Sequence, residues 1–134
     1  MGPARQTDLI LVVEDDLILR ESIAATLRSW GYQAETASDG LEALEKIRAA
    51  SPTLILSDLR MPRMGGLDLL KELQHELRSI RCIVISGEQD RVGEFEAITL
   101  GAFSCLEKPV YPERLKAEIE SCLVESRPSH PAAT

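Results

Sequence analysis

Five short apolar runs alternate with five stretches in which apolar residues recur three and four positions apart. Leu9-Ile10-Leu11-Val12-Val13 is the first run, continuous in the way of a strand buried on both faces of a sheet. Leu17 to Trp30 follows, with Leu19, Ile23, Leu27 and Trp30 close to helical spacing. Asp16 suits the N-cap of that helix and Gly31 its stop. Tyr32 to Ala37 alternates as a short strand. Leu41 to Ala50 predicts an amphipathic helix with Leu41, Leu44 and Ile47 on one face. Thr53 to Asp58 is the third strand, and Leu67 to Gln74, extended to Leu77, the third helix. Arg81 to Ile85 is the fourth strand. Asp90 to Leu100 predicts a weaker helix, because Gly93 within it costs about 1 kcal/mol relative to Ala. Ala102 to Leu106 is the fifth strand, and Pro112 to Glu125 the last helix, with Leu115, Ile119 and Leu123 each four apart.

Strands that alternate with helices in this way form a parallel sheet covered on both faces. The length of 134 residues suits one domain with a real core. The expected division is an N-terminal extension over 1–8, the domain over 9–125, and a flexible tail or linker over 126–134 that holds two prolines. A net charge of −7 argues against binding nucleic acid or an anionic membrane through the domain's own surface. The first residues carry no signal-peptide core and no run reaches the length of a membrane span, so a cytoplasmic location is expected. Cys82, Cys105 and Cys122 are odd in number and scattered, which predicts free thiols rather than a disulfide framework or a zinc site.

The chemistry gathers at one edge. Strands one, three, four and five end in Glu14-Asp15, Asp58, Ser86 and Lys108. Alone, each reads as a solvated residue at a strand end. In a parallel sheet all four lie at the carboxyl edge, where open α/β sheets bind ligands. Glu14, Asp15 and Asp58 offer hard carboxylate oxygens of the kind magnesium takes. Lys108 suits an oxygen of a phosphoryl group, Ser86 can donate to another, and a carboxylate such as Asp58 can form an acyl phosphate.

These residues sit in four motifs. They are Leu11-Val12-Val13-Glu14-Asp15-Asp16, the run from Leu54 to Leu67 through Ser57-Asp58-Leu59-Arg60-Met61-Pro62, Val84-Ile85-Ser86-Gly87, and Gly101-Ala102-Phe103-Ser104-Cys105-Leu106-Glu107-Lys108-Pro109. In this order the chain resembles a receiver domain of the two-component response regulators, CheY-like, from about Leu9 to Glu125. The resemblance implies a flavodoxin-like doubly wound (βα)5 fold with a five-stranded parallel sheet in the order 2-1-3-4-5. It implies that Asp58 is phosphorylated by a sensor histidine kinase or phosphotransfer protein. It implies that Glu14, Asp15, Asp58 and the backbone carbonyl of Arg60 hold Mg2+. Ser86 matches the switch hydroxyl and Lys108 the phosphate-contacting lysine, with the Lys108–Pro109 bond cis. The chain is then no enzyme beyond taking a phosphoryl group from a donor and losing it again. Phosphorylation switches the face of the fourth helix, fifth strand and fifth helix toward an output domain, a downstream protein or a second copy.

The sequence departs from that pattern at Cys105, where the family usually carries Tyr or Phe, and at Glu14, where Asp is commoner. Arg60 and Glu88, each two residues past a functional position, are expected to pair across the pocket mouth. An aspartyl phosphatase of the haloacid-dehalogenase type wants an acid two residues after its nucleophile, where Arg60 stands. A flavin-binding module wants a hydroxyl- and glycine-rich loop where this chain has Glu14-Asp15-Asp16. A degenerate receiver that only mediates contacts is the remaining alternative.

Overall fold

Leucine, isoleucine and valine fill the three inner strands because their side chains can be buried on both faces at once, and helices above and below do the burying. The computed structural model describes residues 8–76 and 80–126. In chain order its elements are β1 (Leu9–Val13), α1 (Leu17–Ser29), β2 (Gln33–Ala37), α2 (Gly40–Ala50), β3 (Leu54–Asp58), α3 (Gly66–His75), β4 (Arg81–Ser86), α4 (Arg91–Thr99), β5 (Ser104–Glu107) and α5 (Pro112–Ser126). The five strands form one parallel sheet in the order β2-β1-β3-β4-β5, the expected fold.

Alternate strand residues feed two cores. Ile10, Val12, Leu54, Leu56, Ile83, Ile85 and Leu106 pack under α1 and α5. Leu11, Val13, Ile55, Cys82 and Val84 pack under α2, α3 and α4. The predicted stripe of α5 is buried through Leu115, Ile119 and Leu123. That of α1 is buried through Ile23 and Leu27, while Ile18 is left 77% exposed. On α2 the expectation is corrected. Leu44 and Ile47 are buried but Leu41 is 44% exposed, because Gly40 and Ala43 complete the face that meets the sheet.

The caps explain where the helices begin. The Asp16 carboxylate accepts from the backbone N–H groups of Ile18 and Leu19, and that of Asp39 from Glu42. Asp90 is the N-cap of α4, one position outside the helix, and accepts from the N–H of Gly93. Gly93 is buried, and a Cβ there meets Leu59 Cδ2 and the Asp90 carboxylate. Close packing against β3's successor residue therefore accounts for the glycine that weakens α4. None of the three cysteines is in a disulfide, and Cys82 and Cys122 are buried while Cys105 is half-buried. Among the described residues no helix is long and apolar enough to cross a membrane. The expected extension before Asp8, the tail after Ser126 and the end of the third helix at Leu77 lie outside the described residues.

Candidate functional site

The register of the sheet decides which side chains meet. Val13 pairs with Ser57 and Asp58 with Ile85, so β1, β3 and β4 end level with one another. At those ends lie Asp58, the last residue of β3, Glu14 just past β1 and, from the loop after β5, Lys108. Glu14 and Asp58 are 2% and 7% exposed, whereas Asp15 is open to solvent. One oxygen from each of Glu14, Asp15 and Asp58 lies within 4.8 Å of the others. Lys108 Nζ is 3.2 Å from Asp58 Oδ2 and 3.6 Å from Glu14 Oε1. The Lys108–Pro109 peptide is cis, as the resemblance implies.

Two of the three acids are held in a costly state. Burial pushes the Glu14 carboxyl up to about 7, against a lowering by the Asp16 N–H, with the charge of Asp58 adding to the rise. Burial also raises Asp58, only partly offset by Lys108. Burial disfavours the Lys108 ammonium, but Asp58 and Glu14 outweigh it and raise its pKa. Glu14 is oriented from both sides. Its Oε2 accepts from the Asp16 N–H at 3.0 Å, and its backbone carbonyl accepts from Arg20 Nη1 at 2.9 Å. Its Oε1 is buried and has no hydrogen-bond partner among the described residues. A buried carboxylate oxygen left over in this way, beside two other carboxylates and one lysine, fits a divalent cation with oxygen ligands.

The remaining residues named from the sequence are placed differently. Ser86 is fully buried at the end of β4, and its hydroxyl donates to Glu94 Oε2 at 2.5 Å, toward α4. The Arg60 side chain pairs with Asp90, Nε to Oδ2 at 2.8 Å and Nη2 to Oδ1 at 3.2 Å. The expected Arg60–Glu88 pair is thus replaced. Asp90 is already fixed by capping α4, and the guanidinium, a planar fork, takes both of its oxygens. That contact and the Gly93 N–H hold the Asp90 carboxyl below its usual range. Asp39, the α2 cap, is bonded by Arg63, which ties the loop after β3 to the loop after β2.

Sequence reasoning did not single out Glu94, Asp90, Asp39 or Arg20. The caps were findable, since Asp90 stands three residues before Gly93 and Asp39 opens a clear helix. Glu94 follows Asp90 by one turn and therefore lies on the same side of α4, toward the end of β4.

A five-stranded doubly wound sheet with an acidic pocket and a lysine at its carboxyl edge defines a class of α/β signalling and ligand-binding domains. The comparisons narrow it. The response regulator receiver domain family matches residues 10–120. The chain is 35% identical over 125 residues to the transcriptional regulatory protein ZraR of Klebsiella oxytoca, covering 93% of this chain and 28% of that protein. It is 33% identical over 117 residues to a CpxR homologue of Haemophilus influenzae, covering 87% of this chain and 51% of that protein. Among solved structures, a CheY-like receiver domain protein from Methanospirillum hungatei superposes with a TM-score of 0.83 at 32% identity, covering 89% of this chain and 95% of that one. This chain belongs to the response regulator receiver domain family. It spans about half or less of the length of these two curated relatives. Receiver domains bind Mg2+ at an acidic pocket, and Glu14, Asp15 and Asp58 form an acidic cluster here.

Proposed function

We propose that this chain is a phosphoacceptor domain in which Asp58 takes a phosphoryl group from a sensor histidine kinase or phosphotransfer protein. The observation that carries the reading is the buried Asp58 carboxylate at the end of β3, with Lys108 Nζ at 3.2 Å and beside it a Glu14 oxygen that has no hydrogen-bond partner among the described residues and only a 3.6 Å ion pair to the same lysine. An Asp58 carboxylate oxygen attacks phosphorus, the P–N bond of the donor phosphohistidine breaks, and its electron pair leaves with the imidazole. Water later cleaves the acyl phosphate and releases inorganic phosphate. Lys108 pairs with a phosphoryl oxygen and Ser86 donates to another once its hydroxyl turns from Glu94. Glu14, Asp15 and Asp58 would hold the cation, with the Arg60 carbonyl as the further ligand that the family resemblance implies. Mg2+ bound there supplies charge neutralisation of the incoming phosphoryl oxygens.

The chain acts as a switch rather than as an enzyme with a turnover substrate, within the cytoplasm where phosphohistidine donors reside. The domain spans 9–125, with an N-terminal extension before it and a tail or linker after it. Its output passes through α4, β5 and α5 to a joined domain, a partner or a second copy. The curated relatives are longer and are named transcriptional regulatory proteins, so DNA contact by a joined output domain is compatible with this reading. The net charge of −7 argues against such contact through the receiver domain's own surface.

Intact mass after incubation with Mg2+ and acetyl phosphate tests the assignment. One added phosphoryl group is expected on the wild type, none on Asp58→Asn, and none in EDTA. No adduct under any of these conditions would instead support a degenerate domain that only mediates contacts.

A further inference from the structure

The Ser86 hydroxyl has one hydrogen-bond partner among the described residues, a carboxylate on α4 rather than a group of the acidic pocket. The side chain is fully buried, so its donor must be satisfied. Glu94, one turn into α4, supplies a carboxylate oxygen at 2.5 Å. The backbone of the same residue is held as well, because Cys105 Sγ lies 3.8 Å from the Glu94 carbonyl. Cys105 is small and half-buried, and beside it opens a cleft of about 400 Å3. Glu94, Cys105, Lys108, Tyr111 and Arg114 are among the residues that line it.

We infer that Glu94 is a positioning residue that latches the Ser86 hydroxyl away from Asp58 and is released into this cleft when Ser86 engages a phosphoryl oxygen. The inference rests on the phosphoacceptor reading of Asp58. Its physical content is a competition for one proton donor. In the resting domain a carboxylate holds the hydroxyl by a charge-assisted hydrogen bond. In the phosphorylated domain a phosphoryl oxygen takes it, and the Glu94 carboxylate must move. The cleft provides the room, and Arg114 on its wall, which pairs with Glu118 at 3.7 Å, provides a cation that the displaced carboxylate can share. Because Glu94 belongs to α4 and Arg114 to α5, the exchange of one hydrogen bond alters the contacts between two helices. The space an aromatic side chain would fill is thereby used by a carboxylate that reports directly on Ser86.

A latched resting state lowers the apparent affinity for any ligand that needs the released state, by the fraction of molecules already released. The test is a titration with beryllofluoride, a phosphoryl mimic, in Mg2+, read from the amide NMR signal of Gly87. Glu94→Ala is expected to lower the half-saturating concentration about tenfold, the lower end for a hydrogen bond to a charged group. Glu94→Gln keeps an acceptor at the same reach and is expected to stay within about threefold of wild type. In a Ser86→Ala background the Glu94→Ala change is expected to have no effect beyond about twofold. That coupling separates a latch from a merely structural or long-range charge effect, which would persist without the hydroxyl. Unaltered affinity in Glu94→Ala, or an equal gain in the Ser86→Ala background, overturns the latch and leaves the phosphoacceptor reading intact. Failure of the wild type to bind beryllofluoride, with Asp58→Asn indistinguishable from it, overturns both.

Discussion

The acidic pocket should make the metal-free domain less stable as pH rises, and Mg2+ should reverse the effect. The perturbation is a pH change from 5 to 7.5, with EDTA or with Mg2+. Burial raises the Glu14 carboxyl from 4.5 to about 7. A group whose folded-state pKa lies above its unfolded one binds its proton more tightly in the fold. It contributes stability in full below pH 4.5, and that contribution is lost as pH rises through about 7. At 1.36 kcal/mol per pH unit of displacement, and with part of the change lying outside the window, Glu14 accounts for a loss of about 2.4 kcal/mol between pH 5 and 7.5. Asp58 is also raised by burial and pulls in the same direction. Asp39 and Asp90, lowered by the Glu42 N–H and by Arg60 respectively, act oppositely, but below the ordinary aspartate range and so outside the window.

The assay is urea unfolding followed by circular dichroism. With a slope of about 2 kcal/mol per molar urea, the midpoint in EDTA should fall by about 1.2 M between pH 5 and 7.5. Mg2+ at a hundredfold above its dissociation constant should return about 2.7 kcal/mol at pH 7.5 and much less at pH 5, where Glu14 is protonated. Glu14→Gln should be more stable than wild type at pH 7.5 in EDTA and should have a flatter profile. A wild-type midpoint that does not move with pH in EDTA refutes the reasoning, as does a Glu14→Gln profile parallel to the wild type.

Four further outcomes follow from the packing. Gly93→Ala tests packing against propensity: helix propensity alone favours it by about 1 kcal/mol, but the contact with Leu59 and the Asp90 carboxylate predicts a loss of about 1–3 kcal/mol in urea unfolding. Gly66→Ala places a Cβ 2.6 Å from the Asp58 carbonyl oxygen, so it should destabilise the fold by about 1–3 kcal/mol and slow acetyl phosphate labelling of Asp58. Arg60→Ala removes an ion pair whose arginine is 63% exposed, so unfolding midpoints should move by less than about 1 kcal/mol. Burial pushes Cys82 up to about 12 and Cys105 to about 11, so iodoacetamide at pH 8 should label the native protein far more slowly than the urea-unfolded one.

What the sequence discloses about this domain depends on the range of the interaction concerned. Strand identity is local, since a run such as Leu9–Val13 carries its own burial on both faces. The convergence of Glu14, Asp58 and Lys108 follows almost as directly, because parallel strands bring every carboxyl end to one edge. Side-chain partners across that edge are different. Arg60 has acids at positions 88 and 90 within reach along the chain, and spacing alone does not choose between them. The choice falls to Asp90 because its carboxylate is already oriented by capping α4, so less freedom is lost in forming the pair. Ser86 is decided in the same way. A hydroxyl at the buried end of β4 must find an acceptor, and the turn of α4 that Asp90 starts delivers Glu94 to it. One capping residue thus sets the partners of both Arg60 and Ser86. Replacing Asp90 should therefore disturb the Ser86 hydroxyl as well as the ion pair, although Asp90 makes no hydrogen bond to Ser86 or Asp58 among the described residues.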